Sequence, residues 1–318
     1  MIEFAWANRL ANPLAAALLE GLRHKPRAVP PKFFYDARGS ALFDRICDLP
    51  EYYPTRTEIG LLQRHAREMA ECIGPAADLV EFGAGSQRKI RLLLAALQRP
   101  VRYVPVDISA EHLRDHARAL AADHPALTVQ ALVADFSADM VMPPLPAQAQ
   151  RRVGFFPGSS IGNFTPTEAL QFLRRSAGWL RGGGLLIGVD LVKDPALLHR
   201  AYNDAVGITA EFNKNLLVRA NSELGADFDV GAFHHHAFYD PRGQRIEMHL
   251  VSARRQSVSI YGERFLFDEG ESLHTENSCK YTVDGFQRLA RDAGFEPQAV
   301  WCDDAKLFSV HWLAAPAC

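Results

Sequence analysis

Three short apolar runs in the first half of the chain each end beside an acid. Asp78-Leu-Val-Glu81-Phe82 leads into Gly83-Ala-Gly85, Tyr103-Val-Pro-Val ends on Asp107, and Val129 to Ala134 leads into Asp135-Phe136. Glycines after such a run let the backbone approach a ligand and turn sharply into a helix. A dinucleotide fingerprint needs a third glycine where Arg88 stands, and a phosphate-binding loop needs Gly-Lys-Ser/Thr where the chain reads Arg88-Lys89-Ile90. Both fail. A glycine pair preceded by an acid, with no glycine to grip a pyrophosphate, suits a nucleoside without phosphate, S-adenosylmethionine (SAM). Asp107 can then accept hydrogen bonds from both ribose hydroxyls. Asp135 can bind the adenine amino group, with Phe136 covering a face of the ring.

These acids need a frame that brings successive strand ends together. Apolar runs at 78–82, 103–107, 129–134, 151–156 and 185–189 alternate with helical patterns. One of those helices opens on the capping box Thr165-Pro-Thr-Glu168. This alternation predicts an α/β chain with an open, doubly wound parallel sheet, whose ligands bind beyond the carboxyl ends of the strands. Residues 8–23 and the stretch after Ile59 have helical spacing, the latter closed by Gly74. The aromatic-rich segment 32–58 between them reads as a loop. After Asp194-Pro195 the alternation stops: 196–224 reads as helix interrupted near Gly207, and 233–268 as antiparallel strands turning at Asp240-Pro-Arg-Gly243. A helix over 282–294 and two final strand-like runs close the chain. The expected division is a SAM-binding domain of residues 60–195 and 282–318, with an α+β substrate domain of 1–59 and 196–281.

Composition narrows the partners. The chain has 318 residues, 48% hydrophobic and 23% charged, which gives ample material for a core. Thirty-five basic against 37 acidic residues lack the basic footprint of a nucleic-acid binder, so no nucleic-acid partner is expected. Five cysteines in no metal or disulfide pattern, and an N-terminal apolar run that is short and carries Glu3, point to a cytoplasmic protein with no membrane span. A monomer acting on a small molecule is expected.

Longer strings are more specific than any glycine pair. LPEYYPTRTE, EFGAGSQRKIRLLL, YVPVDIS, PGSSIGNFTP, AYNDAVGITAEFNKN, IEMHL and TENSCKY resemble the histidine-specific N-alpha-methyltransferases that make hercynine for ergothioneine biosynthesis. The match runs from about residue 30 to the C-terminus. It implies a class I SAM-dependent methyltransferase fold with a family-specific substrate domain. It implies SAM contacts from Tyr35, Gly83, Lys89, Asp107, Asp135 and Phe136. For histidine it implies Tyr52, Gly158, Asn163 and Tyr202 around the amino and carboxylate groups, and Met248, Glu276 and Ser278 around the imidazole, with Asn163 and Tyr52 serving the reacting amine. Without the resemblance, an exposed helix position is the lesser but open reading of Lys89.

One position departs from the pattern: Asn277 stands where a small apolar residue is expected. In an extended strand Glu276 and Ser278 share a face and Asn277 points the other way, so the ring contacts should survive. No metal is expected. In a strand only His234 and His236 of the tract His234-His235-His236 share a face, and no acid or cysteine sits at ligand spacing in the sequence. Glu247 reads as a solvated strand residue.

Overall fold

Every residue from Ala77 to Phe82 is buried, as in a strand covered by helices on both faces. The computed structural model describes residues 2–6, 12–85 and 87–317. In chain order these form β1 (Ile2–Trp6), α1 (Pro13–Arg23), β2 (Arg27–Ala28), α2 (Ala37–Cys47), α3 (Tyr53–Ile73), β3 (Ala77–Phe82), α4 (Gln87–Ala96) and β4 (Arg102–Asp107). Then come α5 (Ala110–Asp123), β5 (Thr128–Val133), β6 (Arg151–Phe156), α6 (Pro166–Trp179), β7 (Gly184–Asp190), α7 (Pro195–Tyr202) and α8 (Ile208–Leu224). The last are β8 (Phe233–Asp240), β9 (Arg245–Ser252), β10 (Gln256–Ile260), β11 (Glu263–Phe267), β12 (Ser272–Cys279), α9 (Val283–Asp292), β13 (Glu296–Cys302) and β14 (Phe308–Ala314).

The chain divides into two units. The first comprises Met1–Asn8, Pro54–Val192 and Lys280–Cys318. Its eight-stranded sheet has the order β1-β5-β4-β3-β6-β7-β14-β13, parallel as far as β7, with β14 antiparallel to both neighbours. Alternate residues feed two cores. Leu79, Tyr103, Val129 and Phe155 pack with Leu62 and Met69 of α3, Ile90 and Leu93 of α4, and Leu113 of α5. Val80, Val104, Leu132 and Phe156 pack with Phe172 of α6 and Phe286 of α9. Near the amino ends of the strands, fully buried Asp78 receives Arg102 Nε at 2.8 Å and Nη2 at 2.9 Å, and Arg152 Nε at 2.8 Å. That arrangement ties β3, β4 and β6 at one end and leaves their carboxyl ends to carry chemistry. Thr165 and Glu168 make the expected capping box, and Asp194 caps α7.

The second unit comprises Arg9–Tyr53 and Lys193–Cys279. A four-stranded sheet of order β2-β12-β9-β8 lies against helix α8, and β10 and β11 form a hairpin. Strand β9 alternates strictly: Ile246, Met248 and Leu250 are buried, and Arg245, Glu247 and His249 lie on the other face. The segment read as a loop contains α2 instead. Asp36 caps it by accepting from the Gly39 N–H at 2.7 Å, and Leu42 and Ile46 bury one face. Gly39 is required there, because a Cβ would lie 1.7 Å from the Phe34 carbonyl oxygen. Helix α1 begins at Pro13, and the part of the expected helix before Asn12 lies outside the described residues. Gly207, with φ 81°, separates α7 from α8 where the interruption was expected.

Candidate active site

Five of the six residues expected to bind SAM lie in the first unit, at or just past the carboxyl ends of β3, β4 and β5; Tyr35 lies in the second. Gly83 leaves β3 with φ 73°, in the left-handed region that favours glycine, and the Phe136 ring comes within 3.6 Å of where its Cβ would be. Its N–H donates to the Val106 carbonyl at 2.9 Å, so the turn is pinned to β4. Asp107 ends β4 with Oδ1 accepting from the Ser109 N–H at 2.8 Å. Asp135 is arranged alike, Oδ1 accepting from the Ser137 N–H at 2.9 Å. Phe136 is fixed edge-on against Phe156 at 5.5 Å and Phe172 at 5.9 Å. These carboxylates, the ring and the side-chain-free turn suit the ribose, the adenine and a closely approached nucleoside.

Glu81, at the end of β3, is a different kind of acid. Burial pushes its carboxyl up to about 8, against the opposing pull of the Tyr103 hydroxyl, which donates to it, and of the Lys89 charge. Tyr103 in turn meets His116 Nε2 at 3.1 Å.

Lys89 is not an exposed helix residue. It is buried, with Nζ 2.6 Å from Glu58 Oε2. Glu58, 1% exposed, also accepts from the Gly158 N–H at 3.0 and 2.8 Å through its two oxygens. One carboxylate on α3 thus joins the Lys89 ammonium to the Gly158 backbone. Gly158, at φ 80°, begins the left-handed turn into the short 3₁₀ segment Ser160–Asn163, where Asn163 stands half-buried. Gly158 and Asn163 belong to the first unit, and the other residues expected at histidine to the second.

In the second unit, Tyr52, Tyr202, Met248, Glu276 and Ser278 are all buried. The Tyr202 hydroxyl donates to Ser278 Oγ at 2.6 Å, and the Tyr52 ring lies edge-on to Tyr202 at 6.4 Å. Burial drives the Tyr52 phenol well above its ordinary pKa, helped by the fields of Tyr202, Cys47, Tyr35 and Glu276. Tyr35 packs against Phe43 and Phe212, each at 5.6 Å.

A β-bulge decides which way Glu276 points. His274 pairs with His249, but the next pair is Glu276 with Met248, so Thr275 is an extra residue in β12. In regular pairing Thr275 would stand opposite Met248 and Glu276 opposite Glu247; with Thr275 left out of the ladder, Glu276 and Ser278 join Met248 on the buried face and Asn277 falls opposite Glu247. The departure at Asn277 therefore sits on the far face, as the alternation implied. Asn213 of α8 holds the bulge. Its Oδ1 accepts from Thr275 Oγ1 at 2.7 Å and its Nδ2 donates to the His249 carbonyl at 3.0 Å. The same Nδ2 donates to His235 Nδ1 at 2.9 Å, while His235 Nε2 donates to the Tyr202 carbonyl at 2.9 Å. That arrangement needs a neutral ring, and burial pushes the His235 pKa down.

Glu58 and Asn213 were not singled out from the sequence, although both lie within motifs noted there, PEYYPTRTE and AEFNKN. Glu247 corrects an expectation: it is half-buried, receiving Arg245 Nε at 2.8 Å and facing His249 Nε2 across 3.0 Å. The His234–His236 tract has no ligand neighbours along the sequence, whereas the sheet sets His249 directly between His236 and His274 on adjacent strands.

A sheet of this order, with an antiparallel strand next to its edge and acids at successive strand ends without a phosphate-gripping glycine, defines a class I SAM-dependent methyltransferase. The family model described as histidine-specific methyltransferase, SAM-dependent, matches residues 14–315. A relative called histidine N-alpha-methyltransferase from Mycolicibacterium smegmatis is 41% identical, covering 96% of this chain and 97% of its own length. One of the same name from Mycobacterium tuberculosis is 42% identical, over 91% of each. Ergothioneine biosynthesis protein 1 of Neurospora crassa is 35% identical over 87% of this chain, which spans 32% of that protein. The chain belongs to the histidine-specific, SAM-dependent methyltransferases. Among the described residues no helix is long and apolar enough to cross a membrane.

Proposed function

We propose that this chain transfers methyl groups from SAM to the α-amino nitrogen of L-histidine, three in succession, giving hercynine for ergothioneine biosynthesis. The observation that carries the reading is the buried polar set Tyr202, Ser278 and Glu276 beside Met248, within a family match that spans nearly the whole chain. SAM, when bound, supplies a methyl group on a positively charged sulfur, and the transfer needs neither acid nor metal. What the chain must supply is a neutral, oriented amine, so positioning provides most of the rate. The α-ammonium of free histidine, beside its own carboxylate, holds its proton more tightly than the chain termini that titrate at about 7.7–8.0, so at neutral pH a proton must leave before the nitrogen can attack. Asn163 accepts from the amine through its carbonyl and donates to the carboxylate through its amide. Tyr52 keeps its proton throughout the working range, since burial raises its pKa, so its oxygen serves the amine as a hydrogen-bond partner and not as an anionic base. Tyr202 and Gly158 complete the amino-acid end. Glu276 accepts from one imidazole N–H, and Ser278 serves the other ring nitrogen. Analogues lacking these ring groups leave buried polar atoms unpaired, which gives strong discrimination.

For the cofactor, Gly83, Lys89, Asp107, Asp135, Phe136 and Tyr35 form the proposed binding set. A monomer working in the cytoplasm belongs to the same reading, supported by the unpatterned cysteines and balanced charge, with mass photometry as its check on assembly. The test of function is an equimolar mixture of free amino acids and histamine with SAM, read by mass spectrometry. Histidine alone should gain methyl groups, ending at three; methylation of another amine in its place would remove the imidazole assignments of Glu276 and Ser278. Asn163→Ala should lose turnover with histidine while SAM binding by calorimetry is retained, and loss of both would break the division of roles.

A further inference from the structure

The face of the second unit's sheet opposite Met248 and Glu276 carries a constellation that the methyl-transfer reading does not use. Glu247 and His249 of β9 and His274 of β12 each offer a ligand atom, and these atoms lie within 4.8 Å of one another. Both rings are held as metal-binding imidazoles are held, with the second nitrogen engaged by an orienting partner. His249 Nδ1 lies 3.2 Å from Ser272 Oγ, and His274 Nε2 donates to the Glu276 carbonyl at 2.9 Å. That leaves His249 Nε2, His274 Nδ1 and one carboxylate oxygen. Glu247 Oε1 is taken by Arg245 Nε at 2.8 Å, whereas Oε2 faces His249 Nε2 at 3.0 Å. The Phe238 ring stacks on His249 at 5.5 Å, fixing its plane. Glu247 and His249 side chains are each only 14% exposed.

We propose that Glu247, His249 and His274 form a binding site for a divalent first-row transition cation such as Zn²⁺, on the face of the sheet away from the proposed histidine contacts. Ligand atoms about 2.0–2.2 Å from a tetrahedral zinc stand about 3.3–3.6 Å apart, so the His249–Glu247 pair needs to open by about half an ångström. Two imidazoles and one carboxylate select zinc, cobalt or nickel over magnesium and calcium, which prefer all-oxygen sites. Three protein ligands leave one position for water. An occupied site would join β9 to β12 at the pair just before the Thr275 bulge, through a ring already bonded to the Glu276 peptide.

The test uses the full chain, stripped with a chelator and titrated with Co²⁺ alone. The expected result is one equivalent bound per chain, with the visible absorption of a tetrahedral nitrogen–oxygen site that Zn²⁺ then abolishes. His249→Ala and His274→Ala should each remove the absorption, Ser272→Ala should weaken binding about 10–100-fold, and His234→Ala, which sits opposite Val251, should change nothing. Circular dichroism checks that each variant folds, and if one does not, titration of the unsubstituted chain still decides. No visible band in that chain overturns the proposal. So does a band that survives His249→Ala, or one lost with His234→Ala.

Discussion

Glu58 offers the sharpest test of how the first unit is held together at its functional end. Its carboxylate is 1% exposed, lies 2.6 Å from the buried Lys89 ammonium, and takes the Gly158 N–H on both oxygens. Glu58→Ala removes one member of a buried ion pair and leaves the other charge without its partner, which costs about 3–5 kcal/mol. The Gly158 N–H, left without its acceptor, adds about 1–3 kcal/mol. For a body of this size each kcal/mol moves the midpoint about 2–4 °C, so Tm should fall by roughly 8–30 °C. Glu58→Gln keeps an oxygen for Gly158 but not the charge, and should fall between Glu58→Ala and the parent. Lys89→Met should then restore part of the loss in the Glu58→Gln background, since it removes the cation that lacks a counterion. Urea unfolding of the four corners of that cycle gives the coupling directly, expected at about 1–3 kcal/mol. The reasoning is refuted if Glu58→Ala unfolds within about 1 kcal/mol of the parent, or if Lys89→Met costs as much in the Glu58→Gln chain as in the parent.

The Glu81 carboxyl, pushed up to about 8 by burial, keeps in the folded chain a proton that the unfolded chain releases near its ordinary value of 4.5. Stability should therefore fall as pH rises from about 4.5 to about 8, by up to about 1.4 kcal/mol per unit, and Glu81→Gln should flatten that slope in chemical denaturation. Ser278→Ala takes away the acceptor of the Tyr202 hydroxyl, and kcat/KM for histidine should drop about 10–100-fold with SAM affinity unchanged in calorimetry. Asp78→Ala strands Arg102 and Arg152, both largely buried, at one carboxylate-sized gap, and urea unfolding should show a loss of at least about 3 kcal/mol.

The parallel sheet was legible because its strands are short apolar runs that end in glycine or an acid, and because Thr165-Pro-Thr-Glu168 and Asp194-Pro195 mark helix starts that the structure keeps. Helix α2 was hidden by composition: its flanking aromatics look like loop residues until Phe212 of α8 is there for Phe34, Tyr35 and Phe43 to pack on. Glu58 could not be picked out, since a carboxylate on a helix is ordinarily solvated and only the later chain supplies Lys89 and Gly158. The same holds for Glu247, whose neighbours His249 and Arg245 make it half-buried. Period-two reasoning did place Glu276 and Ser278 on one face and Asn277 on the other, but which face is buried depends on Thr275, and no pattern in SLHTENSC marks an extra residue.

That extra residue constrains how the protein can change over evolutionary time. Because side chains alternate with every step, drawing Thr275 into regular pairing opposite Met248 would turn Glu276 toward Glu247 and present Asn277 to the buried side. Deleting Thr275 itself would close the bulge and keep Glu276 opposite Met248, so the strand's two sets of side chains reverse only when it pairs again at unchanged length. The Asn213 amide that clasps Thr275 holds the bulge against that change of pairing, so loss of Asn213 should accompany it. Descendants that take a different amino acid have a short route open to them through a register change, with no need to rebuild the pocket one substitution at a time.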